Sequence, residues 1–147
     1  MSPSPTRLET ARATIHAWQC DHMGHANLRA YGEIFEQALW HVFTAIGLTP
    51  TALRTGPVHM AGVQQNISYK KELYPGDCVA VRSTLIDIQA KRLTMRHELV
   101  NVETQEVCAT CELTAVCIAR DTRRPVEFPP HVAAAGRQLL AGGSVPA

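Results

Sequence analysis

The sequence predicts an α+β protein in which one curved antiparallel sheet wraps around one long helix. Three observations carry this. A stretch beginning at Leu28 repeats its apolar residues at three- and four-residue steps. Several later stretches alternate apolar and polar residues instead, as strands do. The connections between those stretches are hairpin-short, which excludes a parallel βαβ arrangement there. One amphipathic helix and one sheet bury their apolar faces most economically on each other.

Taken in order, residues 1 to about 10 are polar, carry proline and are expected to fray. ATIHAWQ, residues 13–19, has the alternation and the β-branched and aromatic content of a strand. In the helical stretch, Leu28, Tyr31, Phe35, Ala38, Leu39, Val42 and Ile46 form a wide apolar stripe, with Arg29, Glu33, Glu36 and His41 opposite. Asn27 fits an N-cap and Gly47 a terminator, so the helix is expected over about 28–46. TPTALRTGP reads as a connection. VHMAGVQQNISYKKEL (58–73) alternates as a long strand, with Ala61, Val63, Ile67 and Tyr69 on one side and Gln64, Asn66 and Ser68 on the other. YPGD (74–77) is a turn by its Pro-Gly pair. CVAVRSTLIDI and LTMRHELVNV are the next two strands, joined by QAKR, and ETQE leads into the last. There Val107, Ala109, Cys111, Leu113, Ala115, Cys117 and Ala119 share one face. HVAAAGRQLLAG is a short terminal helix.

The 147 residues suffice for one domain with a real core, expected over about 13–131 between frayed termini. Apolar residues make up 46% and charged ones 18%, the balance of a chain that folds. Fourteen basic residues against thirteen acids leave a net charge of +1, which offers no basic field for nucleic acid. No apolar run is long enough to cross a bilayer, and MSPSPTRLET lacks the apolar core of a signal peptide. The expected location is the cytoplasm, where five irregularly spaced cysteines stay reduced.

The densest chemistry stands just before the helix, in CDHMGHAN, residues 20–27. A carboxylate at Asp21 lies near the positive end of the helix dipole and near unpaired N–H groups. Helix-entry electrostatics or an Asx turn accounts for Asp21 alone. Neither accounts for Gly24, His25 and Asn27 following so closely. Glycine lets a backbone approach a ligand or adopt positive φ, and free amides at a helix start can accept a developing oxyanion. An acid beside such a site is the arrangement that acyl transfer to water requires. Asn27 is most simply the cap, with an amide that can also orient Asp21 or a water. Tyr31, one turn in, is a core residue with a polar handle.

CDHMGHANLRAYGEIFEQA resembles the D-x-x-G-H-x-N entry to the central helix of hotdog-fold acyl-CoA thioesterases, nearest to the 4-hydroxybenzoyl-CoA thioesterase/YbgC-like branch. Tyr69 followed by YPGD, and RRPVEFPP after the last strand, support it, and the resemblance spans about residues 13–131. It implies the hotdog fold, a homodimer whose sheets join edge to edge, often paired again into a homotetramer, and hydrolysis of an acyl-CoA thioester with no metal or other cofactor. The family's catalytic carboxylate falls on Asp21, as a nucleophile giving a mixed anhydride or as a general base on water. Amides near Gly24 and His25 would polarise the thioester carbonyl, and His25 and Asn27 match positions that line the site. Asp21, His25 and Asn27 are thus the expected catalytic residues, and Gly24, Tyr31, Gln64 and Asn66 the expected substrate contacts.

Other branches of the fold carry the acid within the helix, which makes Glu33 and Glu36 rivals, though solvated helix charges explain both. In the family, the strand carrying Gln64, Gln65 and Asn66 faces the partner's site, where Gln64 or Asn66 would orient water; plain solvent-facing polarity is the alternative. Lys70, Lys71, Lys91, Arg92 and Arg96 are the basic candidates for the CoA phosphates. Asp21, His22 and His25 crowd too tightly for three metal ligands, and on a strand Cys108 points away from Cys111 and Cys117 unless a bulge intervenes, so the three read as small buried packing residues. A hydratase would carry a different acid/histidine signature. The functional alternative is a non-catalytic acyl-CoA binder or sensor on the same fold.

Overall fold

The computed structural model describes residues 3–144. Its elements run β1 (Arg7–Thr14), α1 (Leu28–Ala45), α2 (Pro50–Thr55), β2 (Val58–Tyr69), β3 (Cys78–Ile88), β4 (Arg92–Asn101), β5 (Val107–Ala119) and α3 (Pro130–Leu140). The strands form one antiparallel sheet in the order β1-β3-β4-β5-β2. α1 lies across it, and this is the α+β hotdog arrangement.

α1 begins where expected, because the Asn27 side chain accepts from the Ala30 amide. It ends before Gly47, whose φ of +96° continues no right-handed helix. The buried stripe is Ala30, Tyr31, Ile34, Phe35, Ala38, Val42 and Phe43, so it is rotated from the expected one. Leu28 is left largely exposed, since the first turn overhangs the sheet.

Three expectations need correction. The first strand is not 13–19 but Arg7–Thr14, and a 3-10 turn occupies Ala17–Gln19. The expected fraying therefore fails from Arg7 onward; residues 1–2 lie outside the described ones. The strand is short of large apolar residues because it closes the sheet with small ones, Ala11 and Ala13, while Arg7, Glu9 and Arg12 face water. TPTALRTGP holds a helix, α2, with Thr49 capping Ala52 and Pro50 at its first position. Cys108 does not point away from Cys111 and Cys117. A bulge between the pairs Leu99↔Ala109 and Val100↔Val107 turns it into the core with them. Burial raises the thiols of Cys111 and Cys117 to about 11. No three metal-ligating side chains converge among the described residues.

The core runs from α1 onto the inner face of the sheet, through Leu85, Met95 and Leu113 in one cross-strand row and Val81, Leu99 and Ala109 in another. α3 packs against β3 so closely that a Cβ at Gly136 would lie 2.6 Å from Ile88 Cδ1. β2 is a sheet edge, paired on one side only.

Candidate active site

The segment before α1 is a small hairpin. Cys20 bridges Ala26, the Asp21 amide donates to His25 O, and the Gly24 amide donates back to Asp21 O. Gly24 adopts φ +85° to close this turn, which favours a residue without Cβ. The Asn27 amide donates to Gln19 O and the Ala26 amide to Leu73 O, so the hairpin is pinned on both sides. The YPGD turn is fastened to the same region: the Ile15 amide donates to Asp77 O and the Gly76 amide to Ile15 O. Two motifs distant in sequence thus build one platform at the mouth of α1.

Asp21 is exposed at the tip of this hairpin. Its Oδ1 accepts from the Met23 amide at 2.9 Å, an Asx turn that fixes the carboxylate. Oδ2 has no partner among the described residues. Asn27 caps Ala30, and the preceding amides, those of Leu28 and Arg29, have no intrahelical acceptor.

His25 and Tyr31 enter a cleft of about 200 Å³ together with Leu28, Tyr69, Lys70 and Glu72. His25 Nδ1 lies 3.3 Å from Ala26 O, and its Nε2 lies 3.6 Å from Glu72 Oε1. The Tyr74 hydroxyl donates to Glu72 Oε2 at 2.8 Å, completing a Tyr74–Glu72–His25 line. Tyr31 is buried, with its ring edge-on to Tyr69 at 5.1 Å and its hydroxyl donating to Lys71 O at 3.2 Å. Burial pushes its phenol up to about 12, so it stays protonated. Lys71 is paired with Glu106 at 3.0 Å.

Asp21, Gly24 and Asn27 lie outside the cleft that His25 and Tyr31 line. Gln64 and Asn66 pair across the edge with Thr114 and Glu112, on the sheet face away from α1. A bulge between Gly62 and Gln64 sets this register, and it turns Gln65 inward opposite Leu113. Gln65 lines a second cavity with Glu36 and His97. Glu33 stays on the exposed helix face. Glu72 and His97 had no signal in the sequence, because each acquires its role only from a neighbour distant along the chain. Among the described residues, no helix is long and apolar enough to cross a membrane.

Among solved structures, the fold is similar to the hypothetical protein SAV2348 from Staphylococcus aureus in complex with CoA, at 20% identity and a TM-score of 0.86, over 100% of this chain and 90% of that one. It is also similar to a DHNA-CoA thioesterase from Staphylococcus aureus, at 20% identity and TM-score 0.79, covering 91% of this chain and 89% of that one. A third similar structure is Slr0204, a 1,4-dihydroxy-2-naphthoyl-CoA thioesterase from Synechocystis, at 19% identity and TM-score 0.78, covering 89% and 96%. No curated protein matches the sequence. Residues 15–136 match the family described as the Thioesterase-like superfamily, and the chain belongs to that superfamily.

Proposed function

We propose that this protein, a thioester hydrolase by family, hydrolyses an acyl-CoA to the free acid and CoA with Asp21 as its catalytic carboxylate. The observation that carries the reading is the held but half-free carboxylate. Oδ1 is tied to Met23 N–H, Oδ2 is open, and the hairpin bearing both leads straight into the uncapped amides of α1. As a general base, Oδ2 takes a proton from water while the water oxygen adds to the thioester carbon. The carbonyl oxygen becomes an oxyanion facing the Leu28 and Arg29 amides. The C–S bond then breaks, and the thiolate recovers the proton from Asp21. As a nucleophile, Oδ2 itself attacks, CoA thiolate leaves, and water cleaves the mixed anhydride.

Two features support placing CoA beside this hairpin. The cleft of His25, Tyr31 and Glu72 adjoins it, and Lys70 stands at that cleft's rim for a phosphate. The site is completed by a second copy. β2 offers an open edge, and edge pairing brings a partner's Gln64 and Asn66 toward the hairpin, in a dimer that pairs again into a tetramer. The 4-hydroxybenzoyl-CoA thioesterase/YbgC-like branch and a cytoplasmic location complete the reading.

The test is release of free thiol from a panel of acyl-CoAs of differing chain and ring, with Asp21→Asn as control. Turnover by the wild type that falls at least about a hundredfold in the variant is expected. Turnover that survives the substitution removes the mechanism. Tight acyl-CoA binding with no turnover on any chain makes the protein a binder.

A further inference from the structure

The net charge of +1 conceals a molecule with two charged ends. In the antiparallel sheet, the starts of β2 and β4 and the ends of β3 and β5 gather at one end. Arg54, Lys91, Arg92, Arg120, Arg123 and Arg124 stand there, all exposed, against Asp87, Asp121 and Glu127. Backbone contacts tie this group together. The Cys117 amide donates to Lys91 O, and the Ala119 amide donates to Arg124 O where the chain folds back on the end of β5. The Arg120 guanidinium donates to Gly56 O and Leu53 O, which sets it beside α2 and the start of β2. Among the described residues, the cations in ion pairs are Arg7, Arg12, His25 and Lys71, and none of these six is one of them.

The other end is acidic. Asp21, Glu72, Asp77, Glu103 and Glu106 stand on its hairpin and turns, against Arg29, Lys70 and Lys71. Six bases against three acids leave the first end at net +3, and five acids against three bases leave the second at net −2. β2 runs from one pole to the other, and its 12 residues span roughly 40 Å at about 3.4 Å each. That is several times the Debye length of about 8 Å at physiological salt, so the poles of one chain do not neutralise each other.

β2 itself contains no Lys, Arg, Asp or Glu. Nothing within this edge dictates which way a second strand runs against it. Two copies meet there in one of two ways. A parallel pairing sets like poles side by side. An antiparallel pairing about a two-fold axis sets each basic pole beside the other copy's acidic pole, and does so twice. We propose that the occupant of the β2 edge is a second copy running antiparallel, and that the charged poles, rather than the strand, select this orientation. The inference rests on the edge-paired dimer of the reading above and assigns what orients it. Contacts between exposed charges weaken with salt, so ionic strength controls association. The acidic pole carries the Asp21 hairpin, so the same contact reaches the proposed site.

The experiment reverses each pole alone and then mixes the two. Arg54→Glu with Arg124→Glu reverses the basic pole, and Glu103→Lys with Glu106→Lys the acidic one. All four side chains are exposed, and Arg120, which holds α2, is left in place. Sedimentation velocity at about 0.1 M NaCl reads the monomer fraction, where charges still act across about 10 Å. Each reversed variant alone should associate about tenfold or more weakly than the wild type. An equimolar mixture of the two should recover most of that loss, and so should one chain carrying all four changes, because opposite poles face each other again. The wild type needs no substitution to be tested: its dissociation constant should rise about tenfold or more between about 0.05 and 0.5 M NaCl. Reversed variants that associate as tightly as the wild type, a mixture that recovers nothing, or wild-type association indifferent to salt overturns the inference. A monomeric wild type, or an open series of growing species, overturns it as well. Thiol release measured alongside keeps the two readings apart. Hydrolysis without any charge effect on association leaves the thioesterase reading standing, and absence of hydrolysis on every substrate removes that reading while sedimentation still decides the role of the poles.

Discussion

At the scale of single residues, two polar side chains differ in how they are held. Asp21 is exposed but fixed, with one oxygen engaged and one open. His97 is enclosed, with one nitrogen engaged and one open. Enclosure has a consequence for stability. The unfolded chain binds a proton at His97 near the ordinary value of 6.5, and the folded chain refuses it until about 4. The unfolded state therefore holds more protons between those values, and stability falls as pH drops from 6.5 toward 4. The full window corresponds to roughly 3 kcal/mol for this one group. Urea unfolding of wild type and His97→Leu across that range should show a shallower pH dependence in the variant; identical slopes would place the acid sensitivity elsewhere. The Asp21 hairpin is legible in the sequence because the hydrogen-bond partners of Asp21, namely Met23, Gly24 and His25, are its chain neighbours. His97 is not, because Ser83 and Phe35 meet it only across the sheet and helix.

At the scale of elements, local signals were read well and tertiary ones less so. β3 and β5 fell on their expected residues because each alternates between clear turns. β1 is hard to place from sequence because Arg7, Glu9 and Arg12 make it look solvated, and its small inward residues matter only once β3 lies beside it. α2 carries a local signal of its own, since Thr49-Pro50 is a cap followed by proline at the first position. The hairpin before α1 has two distinct supports, and substitution separates them. Gly24→Ala meets no atom within 4 Å, so its cost is backbone strain at φ +85°, about 1–2 kcal/mol. That strain opens the Asx turn, and kcat should fall with only a small loss in melting temperature. Asn27→Ala removes the cap and should lower global stability by about 1 kcal/mol by urea titration. Equal effects of the two changes on kcat and stability would mean that the hairpin and helix act as one unit.

At the scale of the whole molecule, the hairpin tip lacks a wall. Its carboxylate is exposed and lies outside the cleft of His25 and Tyr31, while Trp18, Met23, Leu28, Val63 and Tyr69 lie exposed around the hairpin and along β2. Scattered apolar residues are ordinary on a surface, but here they border an unpaired edge of 12 residues, which a monomer ordinarily blunts with charge or proline. A second copy pairing along β2 would satisfy the edge and cover these side chains in one step. Val63 stands at the bulge in the middle of that edge, 59% exposed, and its substitution costs the isolated fold little. Val63→Lys should therefore leave the monomer folded and weaken association, shifting sedimentation toward the monomer at concentrations where the wild type is dimeric. If the proposed dimer completes the site, activity should follow the dimer fraction rather than the protein concentration. A wild type that sediments as a monomer and hydrolyses thioesters at a rate linear in concentration would show that one chain suffices.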